Sequence, residues 1–499
     1  MELSPKLIYK NYKNKKLNKI SAINQLISII DNSDNLDTRI ESIDTLSQID
    51  AKSNDVFKLL ENLLISDSHE FIRFSSIRVI EKLFLDNALE PMRWALKHEE
   101  SLKCLLAISK ILGKINTPQS KSLLINKIKK IKNEKIIENL NLLFKKRDIE
   151  SFSSFELSGI IENYFIIADL EKRFGQINFK VKEGLIFELD LSDVSSHVFG
   201  WTILNKFPDF IEFLTSLEIL DLKFNRLTVI PKSIGYLSLM IHLDMSYNKI
   251  KSIPHSIGLL TALKELNLRY NKLKSLPLSI GSLKSLKYLD LRANELASLP
   301  KTIKNISTLE VLDLHGNNLT KFKGSFKGMT SLKQLDLGLN NIERLPKWVK
   351  PLKFLKKLGL GGNKLTSLPS WLGSLQSLEI LQLFDNKLIE LPESIGKITK
   401  LKELTLWNNN LTSLPKSFSS LINLKNLNLN WNCFENLPDC LGSLKSLEIL
   451  SLWGNELKKL PKSLDNLKSL KILDLNFNNI EEIPDFLGKL EKKGLIIYK

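Results

Sequence analysis

The residues of this chain that could support nucleophilic catalysis lie close together in one short segment, SDVSSHVFGW. It contains Asp193, Ser195, Ser196 and His197. The members of a catalytic triad meet in space and normally lie far apart in the chain. Their closeness in the sequence is therefore no evidence for a triad, and we expect no acyl-transfer chemistry from this segment.

A glycine-rich run, LGLGGNKLTS from Leu358 to Ser367, has the composition of a phosphate-binding loop. Its spacing does not match GxxxxGK[ST], and it lacks the third glycine of GxGxxG. The six histidines show no metal-ligand spacing with one another or with the three cysteines, Cys104, Cys433 and Cys440. The sequence therefore predicts a protein that is not an enzyme and that has no metal, no cofactor and no small-molecule substrate.

One polar residue recurs with a strict period of 23 residues and no insertion. It is asparagine, at Asn225, Asn248, Asn271, Asn294, Asn317, Asn340, Asn363, Asn386, Asn409, Asn432, Asn455 and Asn478. Leucine or a similar apolar residue keeps the same register in two columns, which begin at Leu220 and Leu222. Proline follows the asparagine by six residues in every unit except the fifth, where Lys323 replaces it beside Gly324.

The repeated pattern, LxxLxLxxNxLxxLPxxIGxLxxL, resembles the leucine-rich repeat, whose units contain roughly 20–29 residues. Alternation such as Glu265-Leu266-Asn267 predicts a short strand with its leucine turned inward. Stacked units are needed to bury that leucine face. The predicted fold class is an α/β leucine-rich repeat solenoid, a curved parallel sheet of twelve clear repeats, preceded by an all-α helical domain.

The asparagines lie where each strand bends into the return loop. A buried amide must be hydrogen-bonded, and its oxygen and two N–H donors can bond the free backbone groups of adjacent turns. We therefore expect the asparagines to form a structural ladder along the solenoid. At the end of the chain, GLIIYK places Ile496 in the leucine register and predicts a thirteenth strand.

Residues that point away from the leucine core form columns across the concave face, and two zones are candidates for partner binding. The acidic N-terminal zone contains Asp221, Asp244, Asp290, Asp313 and Asp336 with Arg269 and Arg292. The aromatic C-terminal zone contains Phe384, Trp407, Trp431, Trp453 and Phe477. Between them, Gly338 to Gly362 predicts a bare patch. Clustered Trp and Phe are typical of interfaces, but aspartate is common in the repeat consensus, and packing along the ladder edge is the alternative for Trp431 and Phe477.

The net charge of +17, from 72 basic and 55 acidic residues, favours an anionic partner. The lysines lie mostly before the strands and after the prolines, which places them on the rims and the convex side. Charge spread in this way is most often a solvated surface. Binding of a membrane or nucleic acid through these lysines is the alternative to a protein partner, and a steep salt dependence would distinguish it.

The N-terminal part lacks the repeat pattern, and its apolar residues recur at three- and four-residue spacing, as in IRFSSIRVIEKLF. Basic residues open four such segments at spacings of 34, 30 and 32: Arg39, Arg73, Lys103 and Lys135. This resembles HEAT-type helical pairs, and an irregular helical bundle is the alternative. We predict a HEAT-like helical domain over 1–150, a connecting helix and N-terminal cap over 151–184, and the solenoid over 185–499.

The 23-residue unit resembles the intracellular Ras-group leucine-rich repeat proteins of plants and the animal Ras-suppressor scaffolds. This resemblance implies a non-enzymatic scaffold in signal transduction, with a small GTPase or a phosphatase bound on its concave face. The helical region has no counterpart in those scaffolds and would supply a second interaction surface. Three cysteines, no apolar run of membrane-spanning length and no signal-peptide core predict a cytoplasmic protein.

Overall fold

The chain divides into two units. The computed structural model describes residues 4–194, 204–207, 210–320, 327–482, 484–492 and 494–499. Of these, the first unit holds 4–189 and 210–217, and the second holds 190–194, 204–207 and those from 218 onward. The boundaries predicted at 150 and 184 both fall inside the first unit, because the helix and strand pair after residue 150 pack on the helices before them.

Ten α-helices make up most of the described part of the first unit, so the predicted all-α character of this region is confirmed. Seven of these helices, all except α5, α6 and α7, are capped at the first turn by a short polar side chain, which accepts a hydrogen bond from an otherwise unpaired backbone N–H group. Ser53, Asn133 and Ser153 are examples. The helices are α1 Pro5–Lys13, α2 Lys19–Asn32, α3 Leu36–Gln48, α4 Asn54–Ser66, α5 Glu70–Leu83, α6 Leu89–His98, α7 Leu102–Ile115, α8 Pro118–Ile128, α9 Glu134–Lys146 and α10 Ser154–Phe174.

The helices of the first unit pack as successive pairs. Helices α3, α5, α7 and α10 lie in a row, and α2, α4 and α6 pack against α3, α5 and α7. Arg39 of α3 donates to the Asp67 carboxylate at 2.6 Å, just after α4. Arg73 of α5 donates twice to Glu99, at 2.8 and 2.9 Å, just after α6. Each arginine therefore ties its own helical pair to the next one.

Two short strands follow the helices, β1 Asn178–Lys182 and β2 Leu185–Asp190. The turn between them contains Glu183 and Gly184, with φ of 53° and 77°. Asn139 of α9 holds this turn, because its amide donates to the Val181 carbonyl at 3.1 Å and accepts from the Gly184 N–H at 2.8 Å. The strand pair, up to Leu189, therefore belongs to the helical unit.

Thirteen short strands lie parallel and in chain order in the described part of the second unit. Leucine faces leucine across neighbouring strands at a spacing of 23 residues, as Leu220, Leu243 and Leu266 do. This confirms the predicted solenoid fold. The strands are β3 Ile219–Asp221, β4 His242–Asp244, β5 Glu265–Asn267, β6 Tyr288–Asp290, β7 Val311–Asp313, β8 Gln334–Asp336, β9 Lys357–Gly359, β10 Ile380–Gln382, β11 Glu403–Thr405, β12 Asn426–Asn428, β13 Ile449–Ser451, β14 Ile472–Asp474 and β15 Ile496–Tyr498.

The last strand differs from the prediction in its register. Ile497, rather than Ile496, lies opposite Leu473, and Ile496 is half exposed. The offset between these two strands is longer by one residue, and the final unit forms the α-helix α11, Asp485–Glu491, where ten earlier units form shorter 3₁₀ helices within the described residues.

Short 3₁₀ helices follow the prolines on the side opposite the sheet. In several units a glycine of this helix packs closely against the next unit: a Cβ on Gly281 would lie 2.3 Å from the backbone oxygen of Thr302. In the second unit they span Lys232–Tyr236, His255–Leu259, Leu278–Ser282, Lys301–Asn305, Lys347–Val349, Ser370–Ser374, Glu393–Lys397, Lys416–Ser420, Asp439–Ser443 and Lys462–Asn466. Three further 3₁₀ helices lie in the described part of the first unit, at Leu85–Asn87, Ile149–Ser151 and Ile211–Phe213. Lys323 and Gly324 of the irregular fifth unit lie outside the described residues.

The repeated asparagines bond the backbone of two successive units. Asn271 donates to the carbonyls of Met245 at 2.9 Å and Leu268 at 3.0 Å, and accepts from the Ile250 N–H at 2.9 Å. The same acceptor bond recurs at each later repeat asparagine, ending with the Leu457 N–H and Asn478. Most of these side chains are buried, so their hydrogen bonds are made in a low-dielectric interior.

Candidate functional site

Four columns of residues face away from the leucine core of the second unit and form its concave face. They begin at Ile219, Asp221, Lys223 and Phe224 and recur every 23 residues. The fourth column has positive φ at all twelve positions, between 47° at Leu339 and 68° at Gly454. L-residues rarely adopt this conformation, so each strand ends in a fixed left-handed bend that displays a fourth-column side chain.

The C-terminal aromatic zone consists of the five rings predicted for it, and they form two groups. Phe384 and Trp407 stack in parallel, with ring centroids 5.0 Å apart and 3° between their planes. Trp453 meets Trp431 edge-on at 4.3 Å and Phe477 edge-on at 5.4 Å. Trp431 is 49% exposed and Phe477 is 76% exposed, so water covers a large part of this aromatic surface.

The middle of the concave face is not bare. The ring of Phe384 covers Gly361, where an added Cβ would lie 2.4 Å from ring atoms. In the same way, the carboxylate of Asp336 occupies the space above Gly359, with 2.6 Å to the position of a Cβ. The glycines therefore let neighbouring side chains lie flat on the sheet, which residue type alone did not indicate.

The aromatic zone lies in a part of the face whose charges are all negative. The four columns across β10–β14 contain three carboxylates, Asp385, Glu403 and Asp474, and neither lysine nor arginine. Asp385 accepts a hydrogen bond from the Asn408 amide at 2.6 Å, and Asp474 accepts from Asn476. Within the described residues, none of the three carboxylates forms an ion pair. This surface is therefore negative in a chain whose net charge is +17.

The centre of the acidic N-terminal zone is a buried ion-pair network. Arg292 donates to Asp290 at 2.6 Å and its Nε lies 3.3 Å from a carboxylate oxygen of Asp313. Asp290 is fully buried. Burial raises the pKa of Asp313 to about 6, although a hydrogen bond from the His315 N–H and the charge of Arg292 act in the opposite direction.

His315 and Asp336 extend this network, with 3.5 Å between the imidazole Nδ1 and a carboxylate oxygen. The hydrogen bond with Asp336 raises the pKa of His315 above its ordinary value. Burial raises the pKa of Asp336, but hydrogen bonds from His315 and the Gly338 N–H outweigh burial and hold that pKa below its ordinary value. The two side chains therefore favour the ion pair.

The remaining residues of the acidic zone also have partners inside it. Lys223 donates to Asp221 at 2.7 Å. Asp244 accepts from the Asn267 amide at 2.8 Å. The guanidinium of Arg269 lies 5.2 Å from the centroid of the Tyr247 ring, a cation–π distance. The structure thus brings the predicted acidic residues together, and their charges are largely balanced within the zone.

A second aromatic stack adjoins the acidic zone and was missed by the sequence analysis. Phe224 and Tyr247 stack at 4.4 Å, and Tyr247 and Tyr270 also stack at 4.4 Å. All three lie in the fourth column, as do Trp431 and Phe477, so their shared register with those residues was the signal that could have revealed them. The outward first column was also missed, including the 2.8 Å contact between His242 and Glu265.

The lysines that precede the strands are partly neutralised. Three glutamates, Glu310, Glu379 and Glu448, each lie between two lysines of neighbouring repeats. The distances are 3.8 and 2.6 Å from Lys287 and Lys333, 3.6 and 2.7 Å from Lys356 and Lys402, and 3.2 and 2.5 Å from Lys425 and Lys471. A groove of about 520 Å³ on this rim is lined by Phe354 and by residues of the groups around Glu310 and Glu379. Each group keeps one net positive charge.

The residues first considered for catalysis are not assembled into a site by the described structure. Ser195, Ser196 and His197 lie outside the described residues. Cys104 is buried, and burial raises the pKa of its thiol to about 12. Among the described residues, no three His, Cys, Asp or Glu side chains form a group that could hold a metal ion. None of the helices in the described ranges combines the length and apolar composition required to cross a bilayer.

Sequence-family models match the second unit along most of its length. The model for a leucine rich repeat matches residues 215–273, 262–319, 284–342 and 308–365. The model for a leucine-rich repeat region matches 371–457, and the model for two copies of the repeat matches 445–488. No curated protein is significantly similar to the chain.

Solved structures show the same similarity. An internalin from Listeria monocytogenes is 22% identical, with 74% of this chain and 96% of the other covered at a TM-score of 0.53. The PEPR1–AtPEP1 structure is 26% identical, with 67% and 54% covered at a TM-score of 0.54. A leucine-rich repeat protein of Leptospira interrogans is 30% identical, with 62% and 95% covered at a TM-score of 0.46. With its 23-residue period, its parallel sheet and these family matches, the chain belongs to the leucine-rich repeat proteins.

Proposed function

We propose that this protein is a non-enzymatic scaffold that binds a protein partner on the concave face of its repeat unit. The observation that supports the proposal is the C-terminal aromatic zone, where Trp431 and Phe477 are exposed beside Trp453. Aromatic side chains are enriched at the energetic centres of interfaces, and clustered exposed apolar surface usually marks an interaction site. The acidic zone, whose charges are largely balanced within the zone, lies at the other end of the same face.

A small GTPase is our proposal for the partner class. Its support is the resemblance of the 23-residue unit to Ras-group and Ras-suppressor repeat proteins. Nucleotide state changes the surface of a GTPase, because its switch segments are ordered by the γ-phosphate. Binding through the aromatic zone should therefore differ between GDP and a non-hydrolysable GTP analogue, and equal binding in both would exclude this class.

The helical unit supports an adaptor role for the scaffold. Its paired helices and the repeated arginine bonds, Arg39 to Asp67 and Arg73 to Glu99, favour the HEAT-like assignment. Such stacked helical pairs form extended binding surfaces. We propose that this unit binds a second partner while the concave face of the repeats holds the first.

Site-specific photo-crosslinking tests the proposal. A photoreactive phenylalanine derivative would replace Asn408, an exposed residue of the fourth column beside Trp407. The matched control carries it at Lys462, an exposed residue on the 3₁₀-helix side. A partner identified by mass spectrometry should crosslink at 408 and not at 462, and Trp407→Ala/Trp453→Ala should abolish its crosslinking. Equal crosslinking at both positions, or no effect of the double substitution, would reject the concave-face site.

Polyanion binding is the alternative function, and the net charge of +17 favours it. Since the concave face across β10–β14 carries only negative charges, the lysines that bind a polyanion would lie on the rims and convex side. Binding to duplex DNA or to phosphatidylserine vesicles would then collapse as salt rises to ~0.15 M. Contact with an aromatic-centred protein site should persist at that ionic strength.

A further inference from the structure

We propose that the C-terminal aromatic zone binds a proline-rich segment of the partner, in the polyproline II conformation and carrying lysine or arginine. This inference rests on the proposed protein-binding function and specifies the chemistry of the bound segment. It follows from three features of β10–β14: the local charge, the spacing of the rings and the hydrogen-bonding groups between them.

Charge selects a basic segment. The concave columns across β10–β14 hold Asp385, Glu403 and Asp474 without a lysine or arginine, and within the described residues no cation is paired with them. A segment with lysine or arginine would bring the missing positive charges, whereas an acidic segment would meet three like charges. Complementary charge of this kind sets partner choice and the rate of association.

The spacing of the rings matches a polyproline II helix. Trp407 and Trp453 occupy the same column two strands apart, and so do Trp431 and Phe477. Neighbouring strands lie about 4.8 Å apart, so two strands span about 9.6 Å. A polyproline II helix repeats its face every three residues, about 9.3 Å. A segment running across the strands therefore presents a proline to an aromatic ring at every turn.

The structure of the concave face also favours a bound polyproline II segment over a bound β-strand. An extended strand binds a sheet by pairing with its edge, but Trp407 and Trp453 follow β11 and β13, which already have a neighbouring strand on both sides. A polyproline II segment needs no edge, since its backbone makes no internal hydrogen bonds and is read by side chains.

The groups between the rings are suited to bond such a backbone. Asn430 lies between Trp407 and Trp453 in the third column, and its side-chain oxygen accepts a hydrogen bond from the backbone N–H of Trp453 at 2.8 Å. This leaves the amide NH₂ as a donor for a carbonyl of the bound segment. The indole N–H groups are further donors of the kind that place tryptophan at interfaces with one polar side.

Peptide binding to the full chain tests the inference. The ligand would be a capped peptide of four Pro-Pro-Arg units, titrated by calorimetry at ~0.15 M salt. The controls are a peptide of four Gly-Ser-Arg units, which has the same charge without the conformation, and one of four Pro-Pro-Glu units, which reverses the charge. We expect the first peptide to bind at least about tenfold more tightly than either control.

Variants locate the binding. Trp407→Ala/Trp453→Ala should weaken the first peptide by at least about tenfold, and Phe477→Ala, which removes an exposed ring and leaves the core intact, by roughly threefold or more. Trp94→Ala, in the helical unit, is the matched control and should have no effect. Asp385→Asn/Glu403→Gln should weaken the peptide without altering the melting temperature. Equal affinity for the Pro-Pro-Arg and Gly-Ser-Arg peptides, or indifference to Phe477→Ala and the tryptophan substitutions, would overturn the inference.

The two proposals fail separately. A partner that crosslinks at position 408 and depends on both tryptophans, while the Pro-Pro-Arg peptide does not bind, would refute the polyproline segment and leave the protein-binding function standing. The opposite result is selective peptide binding that depends on Phe477, with no protein partner crosslinked at position 408. It would refute the proposed protein-binding function and leave the recognition of polyproline segments standing.

Discussion

The ring of Phe384 lies over the backbone of Gly361, so closely that a Cβ on residue 361 would be 2.4 Å from two ring atoms. The same ring stacks on Trp407. A residue with no side chain therefore sets the position of the first aromatic pair in the binding zone. Because Gly361 has no positive φ, an alanine there changes the space above the sheet and not the backbone preference.

Gly361→Ala should displace the Phe384 ring and open its stack with Trp407. An aromatic pair contributes about 1 kcal/mol, so partner and peptide affinity should fall by roughly fivefold. Calorimetric titration measures this loss. Gly488→Ala is the control, because a Cβ at residue 488 in α11 meets no atom within 4 Å. Unchanged affinity with the Phe384 ring still in place would contradict the role assigned to Gly361.

Asn317→Ala should destabilise the repeat unit without affecting partner binding. The buried amide of Asn317 donates to the carbonyls of Leu291 and Leu314 at 3.0 Å and accepts from the Leu296 N–H at 3.0 Å. Its loss leaves buried backbone groups unpaired, at a cost of about 1–3 kcal/mol. Urea unfolding followed by circular dichroism measures the change.

Asn318 supplies a matched control, since it is the adjacent asparagine but is exposed and outside the repeat position. Asn318→Ala should change the unfolding free energy by less than about 0.5 kcal/mol. If the two substitutions shifted the urea midpoint equally, the asparagine ladder would have no special structural role.

Much of the fold could be predicted from the sequence because a period of 23 residues specifies which positions face each other. It could not specify how neighbouring side chains share space. The carboxylate column was visible, but the pairing of Arg292 with both Asp290 and Asp313 depends on side-chain conformations. The prediction of a bare patch was wrong at Gly361, because a glycine leaves space above the sheet that a neighbouring side chain such as Phe384 can occupy.

The helical unit shows a similar limit. Four basic residues recur at similar spacing, but within the described residues only Arg39 and Arg73 form ion pairs with acids, at the ends of α4 and α6. Lys103 instead lies over the rings of Phe71 and Phe74, at 5.0 and 4.4 Å from their centroids. The role of each basic residue depends on which acidic residue the following helical pair places near it, and the spacing of the basic residues does not specify that.

The pKa of His315 should lie above its ordinary value and fall when Asp336 is replaced. The hydrogen bond with Asp336 is the main cause of the raised pKa. A raised histidine pKa gives stability that is present below the unfolded pKa and lost as pH rises through the folded pKa. NMR titration of the imidazole in the wild type and in Asp336→Asn measures the change. If the His315 imidazole titrated at the same pH in both proteins, the result would contradict its contact with Asp336.

Arg73→Ala should strongly destabilise the helical unit. Arg73 donates to both oxygens of Glu99, whose side chain is 4% exposed, and to the carbonyls of Asp67 and Ser68. Removing the arginine leaves a buried carboxylate without its partner, which costs about 3–5 kcal/mol near neutral pH. Arg93→Ala is the control, because Arg93 and Glu90 form an exposed pair worth less than about 1 kcal/mol.

The destabilisation by Arg73→Ala should also depend on pH in a defined direction. Burial raises the pKa of Glu99, but the hydrogen bonds and charge of Arg73, together with hydrogen bonds from the backbone N–H groups of Glu100 and Ser101, hold the pKa below its ordinary value. Stability from this group is therefore present above the unfolded pKa and lost as pH falls through the folded pKa. Urea unfolding at a series of pH values should show the gap between wild type and variant narrowing below the ordinary glutamate pKa of 4.5. A gap that stayed constant over that range would mean that Arg73 stabilises the helices through packing, and not through the charge of Glu99.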